Sequence, residues 1–460
     1  MKRKDFIKSG LGLLAGSTFM NPMQKNDSGF NWKKWASESD YNVIFIMADD
    51  LGYRDLGCYG QQNIKTPNID RLASRGMRFT QCYAGCTVCA PSRNTLMTGR
   101  HTGHVTIRGN YVERDGKRIR IPLPEHTETV AKMLKSNGQK TGMIGKWGLG
   151  EPRSTGIPNN QGFDYWYGFL NQHRAHDYYP EYLWENQDKV ILNGNKNGKK
   201  QEYAHDLFEE KTQEFIRKNK DERFFLYLPY TIPHAQYEIP DLVEYADKDW
   251  SHDEKAYAAM VTKMDRGIGR MLSLLKKLDL DKNTLIFVTS DNGAAHRWKG
   301  TFDSCGQLRG IKRDMYEGGL RVPMIATLPV VIPAGTTSEM PWYFPDLMPT
   351  LAEIAGMNPP IGIDGRSVWP ALQGKKQSMK DRAFYWEFIQ MPPNQTLKQA
   401  VRLNNWKAVR KATHASLELY DLSRDISEQN DVSREFKKVS RQMAAIMKRE
   451  HSPTSYWDID

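Results

Sequence analysis

The chain has little cysteine and no long apolar run. Its 460 residues include only five cysteines, at 58, 82, 86, 89 and 305. That odd number leaves at least one outside any pairing, and Cys89 is the natural one. After the first twenty residues, no stretch approaches the roughly 20 consecutive apolar residues of a membrane-spanning helix, so no membrane span is expected. Acidic residues are in deficit, 54 against 65 Lys and Arg, for a formal charge of +11. The excess is spread along the chain and no RNA- or DNA-binding motif stands beside it, so no nucleic-acid partner is expected. A diffuse basic surface is compatible with anionic substrates. Internal repeats are absent, and low complexity is confined to the polar run Asn193 to Lys200, read as a loop tip. What is present is 39 % apolar residues with 12 Trp, 21 Tyr and 17 Phe, enough for one large domain and a smaller one.

The N-terminus begins Met1-Lys2-Arg3-Lys4 and continues in a short, Gly-rich, weakly apolar run from Ser9 to Met20. It reads as an export signal over residues 1–24, with a cytosolic disordered start as the alternative. Export would place the mature protein in a bacterial periplasm or outside the cell.

Beyond it, Tyr41 to Ala48 is a continuous apolar run, the pattern of a strand covered on both faces, and it ends in Asp49-Asp50. Helices are predicted from Pro67 to Gly76 and from Thr127 to Asn137; the strand Lys140 to Gly145 then delivers Lys146. A helix from His205 to Lys218 precedes the strand Phe224 to Leu228, which leads to His234. The longest helix carries Tyr257, Met260, Val261, Met264, Ile268, Met271, Leu272 and Leu275 at helical spacing, and the strand Thr284 to Thr289 ends in Asp291-Asn292-Gly293. Helices alternating with buried strands predict an α/β fold with a large, mostly parallel sheet over residues 38–356. From 357 to 460, short strands at hairpin spacing and a last helix predict a smaller antiparallel α+β subdomain. Because ligands of open α/β sheets bind beyond the carboxyl ends of strands, Asp49-Asp50, Lys146, His234 and Asp291-Asn292 are expected at one edge.

At Cys89-Ala90-Pro91-Ser92-Arg93 a thiol stands at a helix start, with Pro91 suited to the first helical position. The helix dipole and Arg93 would favour a reactive anion there; a structural cysteine is the alternative. Asp49, Asp50, Asp291 and Asn292 are hard oxygen donors, which favour Ca²⁺, and Mg²⁺ after it, over zinc. Lys146, His234 and Lys312 are candidates for an anion clamp and a proton carrier. Each alone is more simply a solvated or structural side chain.

These stretches, in this order, resemble a type I sulfatase of the alkaline-phosphatase superfamily. The resemblance runs through Asp49-Asp50-Leu51-Gly52-Tyr53, the Cys-x-Pro-Ser-Arg helix with its Thr98-Gly99-Arg100 tail, Gly145-Lys146-Trp147, Pro233-His234, Ser290-Asp291-Asn292-Gly293 and Lys312 to Gly319. It continues through Arg321-Val322-Pro323, Gly365-Arg366-Ser367 and Leu419-Tyr420-Asp421-Leu422. It implies that a formylglycine-generating maturation enzyme oxidises Cys89, that the hydrate of the aldehyde attacks sulfur, and that calcium is held by Asp49, Asp50, Asp291, Asn292 and residue 89. It also implies that Arg93 supports the nucleophile, Lys146 and Lys312 neutralise the sulfate oxygens, and His234 protonates the leaving oxygen.

One position departs from the family, which often has Gly-Lys-Trp-His where this chain has Gly148. A histidine from elsewhere, among His104, His173 and His176, is the expected replacement; a slower second step without a dedicated base is the alternative. Between Gly162 and Trp184 many aromatic residues are interspersed with His173, Arg174 and His176, which are assigned to substrate binding. The variant resembles bacterial sulfatases acting on glycans, with a lean toward galactose or N-acetylgalactosamine 4-O-sulfate. A phosphate or phosphonate monoester hydrolase, or a non-catalytic sulfated-glycan-binding protein, is the alternative.

Overall fold

The computed structural model describes residues 41–390 and 395–457, so the export signal expected at 1–24 lies outside the described residues. These described residues form one compact unit. The strands are, in chain order, β1 (Asn42–Ala48), β2 (Met77–Tyr83), β3 (Val112–Arg114), β4 (Lys117–Ile119), β5 (Lys140–Lys146), β6 (Tyr165–Phe169), β7 (Tyr182–Glu185), β8 (Asp188–Ile191), β9 (Phe224–Pro229), β10 (Thr284–Ser290), β11 (Arg321–Thr327), β12 (Thr336–Ser338), β13 (Trp342–Tyr343), β14 (Ala383–Gln390), β15 (Thr396–Leu403), β16 (Trp406–Arg410) and β17 (Glu418–Asp421). The large sheet runs β12-β2-β11-β10-β1-β9-β5-β6-β7-β8, with β13 also on β2.

Its centre is parallel: β1 pairs with β10 on one side and β9 on the other, and β5 continues the parallel run between β9 and β6. Antiparallel pairs occur only toward the two sides. All seven residues of β1 are buried, as its uninterrupted apolar sequence requires when helices cover both faces. Phe45 at its middle packs against Tyr227, Phe287 and Phe344. Parallelism makes β1, β5, β9 and β10 end at the same edge, which is what delivers residues 49, 146, 234 and 291 to one place.

The helix His252–Lys277 starts at a capping box made by Ser251 and Glu254 and buries Tyr257, Met260, Val261, Met264, Ile268, Met271 and Leu275; Leu272 is only partly buried, at the margin of the face. The helix expected from Thr127 begins at Val130, because the Thr129 hydroxyl caps it by accepting the Lys132 N–H at 3.1 Å. The C-terminal sheet β14-β15-β16-β17 is antiparallel throughout. Helix Lys437–Glu450 lays Met443, Ile446 and Met447 onto its Tyr385, Val401, Ala408 and Leu419. Among the described residues, no helix is long and apolar enough to cross a membrane.

Candidate active site

The chain turns sharply where β1 ends: Asp50 has φ +63°, a conformation that non-glycine residues rarely adopt, and its N–H donates to Asp291 Oδ1 at 3.2 Å. The loops after β1 and β10 are thereby tied together. Asn292 Nδ2 donates to Asp50 Oδ1 at 2.7 Å, while Asn292 Oδ1 is buried with no hydrogen-bond partner among the described residues. The helix Cys89–Thr98 begins beside them, with Cys89 as its first residue and Val88 as its N-cap. Pro91 is therefore its third residue rather than its first. A missing N–H is harmless there too, since the opening turn has no acceptors to meet it. Ser92 Oγ donates to Asp291 O at 2.5 Å, pinning this helix start to the end of β10.

Cys89 Sγ lies 3.4 Å from Asp49 Oδ1. Lys146 Nζ is 2.5 Å from Asp49 Oδ2, and Lys312 Nζ is 2.7 Å from the Asp50 carboxylate. His234 Nε2 lies 3.2 Å from Lys312 Nζ and 3.3 Å from Asp50 Oδ2. Arg93 is fully buried; its Nη2 is 2.9 Å from Asp291 Oδ2 and 3.7 Å from Asp49 Oδ2, and its Nη1 donates to the Lys146 carbonyl. Arg93 thus fixes the aspartates and the end of β5, and it also interacts electrostatically with Cys89.

These charges act on one another strongly because they are buried. Burial alone would raise Asp49, but Lys146, His234, Arg93 and Lys312 outweigh it and hold that carboxyl well below the ordinary range. Asp291 goes the other way, to about 6, because burial and the neighbouring Asp49 outweigh Arg93. Burial, Asp291 and Asp49 push the Cys89 thiol up. The helix start and Arg93 are not the only charges here: the residue sits among carboxylates, whose field opposes an anion on the bare thiol, while Lys146 and Lys312 favour one. Cys86, three residues earlier, turns its Sγ to the Glu387 carbonyl at 3.4 Å, and all five cysteines are free.

The other assigned residues separate. The His176 ring stacks on His234 with centroids 4.1 Å apart and planes 16° apart, and burial with Lys146 and His234 drives its pKa down to about 3. His173 is its edge-on neighbour at 6.2 Å, whereas the Arg174 guanidinium lies 4.0 Å over the Tyr182 ring. His104 belongs to another cluster, with its Nδ1 2.9 Å from Asp364 and its ring 4.1 Å from His101. Phe163, Trp166, Tyr167 and Tyr178 of the aromatic stretch are buried in the core. Tyr178 serves the site indirectly, its hydroxyl donating to the carbonyls of Thr231 and His234 and holding that loop.

The sequence reading missed a second aromatic group. Tyr237, three residues after His234, packs against Trp298 at 5.3 Å and His296 at 6.2 Å, and Asp50 and Lys312 both act on its hydroxyl. Its signal was only proximity to two motifs, on loops whose mutual approach depends on the sheet.

An oxygen-rich, cation-lined site at the carboxyl edge of a parallel sheet defines a hydrolase acting on an anionic ester. The family model "Sulfatase" matches residues 41–357, and "N-sulphoglucosamine sulphohydrolase, C-terminal" matches residues 310–452. Canine N-acetylgalactosamine-6-sulfatase is 32 % identical over 75 % of this chain and 68 % of its own length; human arylsulfatase A is 32 % identical over 84 % and 82 %. The solved structure of Ps i-CgsB in complex with k-i-k-neocarrahexaose is 32 % identical, with a TM-score of 0.80 over 91 % of this chain and 94 % of that one. The chain belongs to the sulfatase family, type I, of the alkaline-phosphatase superfamily, and is a sulfuric ester hydrolase.

Proposed function

We propose that the enzyme removes an O-sulfate from a glycan, with Cys89 oxidised to formylglycine by a maturation enzyme before the protein acts. The observation that supports this most directly is the gathering of Cys89, three aspartates, Arg93, two lysines and His234 within hydrogen-bonding and ion-pair reach at one sheet edge. Glycan sulfate esters are supported as substrates by the relatives, among them N-acetylgalactosamine-6-sulfatase and, at 26 % identity over 91 % of the chain, N-acetylglucosamine-6-O-sulfatase of Bacteroides thetaiotaomicron.

A divalent cation fits the donors present. Asp49, Asp50, Asp291 and Asn292 bring only oxygen, the Asn292 Oδ1 is a buried acceptor without a donor, and a purely oxygen set favours Ca²⁺ over zinc. These residues and residue 89 would hold the ion, which would lower the pKa of a hydroxyl at residue 89 and offset charge on the ester. Arg93 holds Asp291 and Asp49 together through its guanidinium. Lys146 and Lys312 supply ammonium groups for the sulfate oxygens. His234, whose pKa is lowered because burial outweighs Asp50 and Asp49, would carry the proton to the departing sugar oxygen. His176, stacked on His234, takes the place we assign to the histidine absent at Gly148, and His173 and Arg174 flank the entry for the sugar.

For the sugar we propose a galacto-configured residue sulfated at O4, with O6 the competing position because the named N-acetylgalactosamine relative is a 6-sulfatase. Export is proposed from the basic N-terminus and its short apolar run. The deciding experiment screens 4- and 6-sulfated galactose and N-acetylgalactosamine, phenyl sulfate and phenyl phosphate against the matured enzyme and Cys89→Ala. Sugar sulfate turnover that EGTA abolishes and Ca²⁺ restores supports the proposal. Faster turnover of phenyl phosphate, or no ester cleaved while mass spectrometry finds the aldehyde at residue 89, overturns it.

A further inference from the structure

Gly148 lies two residues beyond Lys146 and has φ +82°. A Cβ built there would fall 2.0 Å from Nε2 and 2.8 Å from Cδ of Gln172, so the space beside this backbone belongs to the Gln172 carboxamide. Gln172 is only 6 % exposed, and both its Nε2 and its Oε1 are buried without a hydrogen-bond partner among the described residues. Leaving such atoms unpaired costs about 1–3 kcal/mol each. Gly148 follows the strand end that delivers Lys146, and Gln172 stands two residues before the Arg174–His176 turn, whose His176 ring lies against His234.

We propose that Gln172 is a specificity-determining residue, its carboxamide receiving a hydroxyl of the sulfated sugar next to the scissile ester. The inference rests on the sulfate-ester reading above and extends it to a particular contact. Its chemistry follows from the two orphaned atoms. A sulfate oxygen can only accept, which would leave Oε1 unpaired and facing negative charge; an ammonium can only donate, which would leave Nε2 unpaired. A hydroxyl both donates and accepts, and so satisfies the pair. A site that commits a buried donor and acceptor in this way also rejects esters that lack the hydroxyl.

The test uses the Cys89→Ala chain, which needs neither maturation nor turnover, with and without Gln172→Met, an unbranched replacement of similar length. Binding of N-acetylgalactosamine 4-sulfate, N-acetylgalactosamine 6-sulfate and phenyl sulfate is measured by calorimetry, and Tm by thermal melting. Expected is a roughly 10-fold or greater weakening for the preferred sugar sulfate, the size of one lost hydrogen bond. Phenyl sulfate, which has no hydroxyl, should stay within about 2-fold. The Tm should stay level or rise, because the amide has no partner to lose in the free protein. Equal weakening of phenyl sulfate, unchanged sugar binding, or a Tm lowered by several degrees would overturn the assignment. If no ester binds to the Cys89→Ala chain with Gln172 intact, it is the sulfate-ester reading that falls, and this inference with it.

Discussion

Two of the buried charge clusters among the described residues make a contrast, and only one of the two resembles a reaction site. Beneath the C-terminal sheet, Lys407 Nζ lies 2.8 Å from Glu317 and 3.1 Å from Glu428, the Tyr83 hydroxyl donates to Glu317 at 2.8 Å, and the Glu317 N–H donates to Glu428 at 2.7 Å. Burial would raise Glu317, but Lys407, Arg321 and Arg402 hold it at about 2, while burial lifts Glu428 to about 7. Shifts of this kind are as large as those at the catalytic edge. Perturbed pKa values therefore do not separate the clusters; geometry does. At the catalytic edge the charges come from the ends of four parallel strands and meet a helix start. Under the C-terminal sheet they join the Glu317–Leu320 turn to β16, and each Glu317 oxygen has a donor. One arrangement is prepared for a ligand and the other fastens the small subdomain to the large one.

Breaking one lysine in each cluster sharpens that contrast. Lys312→Met is expected to lower kcat/KM for the sulfate ester by roughly 10²–10³-fold, the size of a lost charge-stabilising donor. Circular dichroism should be unchanged, and a loss of folding would blur the distinction. Lys407→Met leaves two glutamates buried without their ammonium and is expected to cost about 3–5 kcal/mol in chemical denaturation. Its folded fraction should keep wild-type KM. A lower kcat/KM at full folding would bring Lys407 into the chemistry.

Gly148→Ala places a Cβ at a left-handed φ and against Gln172. A loss of about 1–2 kcal/mol is expected from the backbone alone. Gly148→Ala combined with Gln172→Ala should recover only the steric part, and full recovery would mean that φ imposes no strain.

The smallest effect concerns His104, which lies between the clusters in character: half-buried, paired with Asp364, and near His101, Glu450 and Arg108. The hydrogen bond from His104 to Asp364 raises its pKa above the ordinary 6.5 despite opposing desolvation and Arg108. A histidine raised in the folded state contributes stability fully below its unfolded pKa and loses it as pH rises through the folded value. The Tm difference between wild type and His104→Gln should therefore be largest below pH 6.5 and shrink above it. Growth of the difference with rising pH would refute the pairing.

Much of this molecule was determined by the sequence itself. Continuous apolar strands such as Asn42–Ala48 can be stable only when covered on both faces, and chain polarity then puts Asp49, Lys146 and Asp291 at a common edge. The alternation of short strands from β14 to β17 likewise anticipated an antiparallel subdomain. Tertiary structure alone decided the contacts between loops far apart in sequence: His176 against His234, Tyr237 against Trp298, and the Gln172 amide in the space beside Gly148. It also added to the electrostatics of Cys89, since a local reading includes the helix and Arg93 but not Asp49 and Asp291, which arrive from 40 and about 200 residues away. Periodicity is local and so is written in the chain. A field or a cavity is a sum over neighbours that only folding brings near.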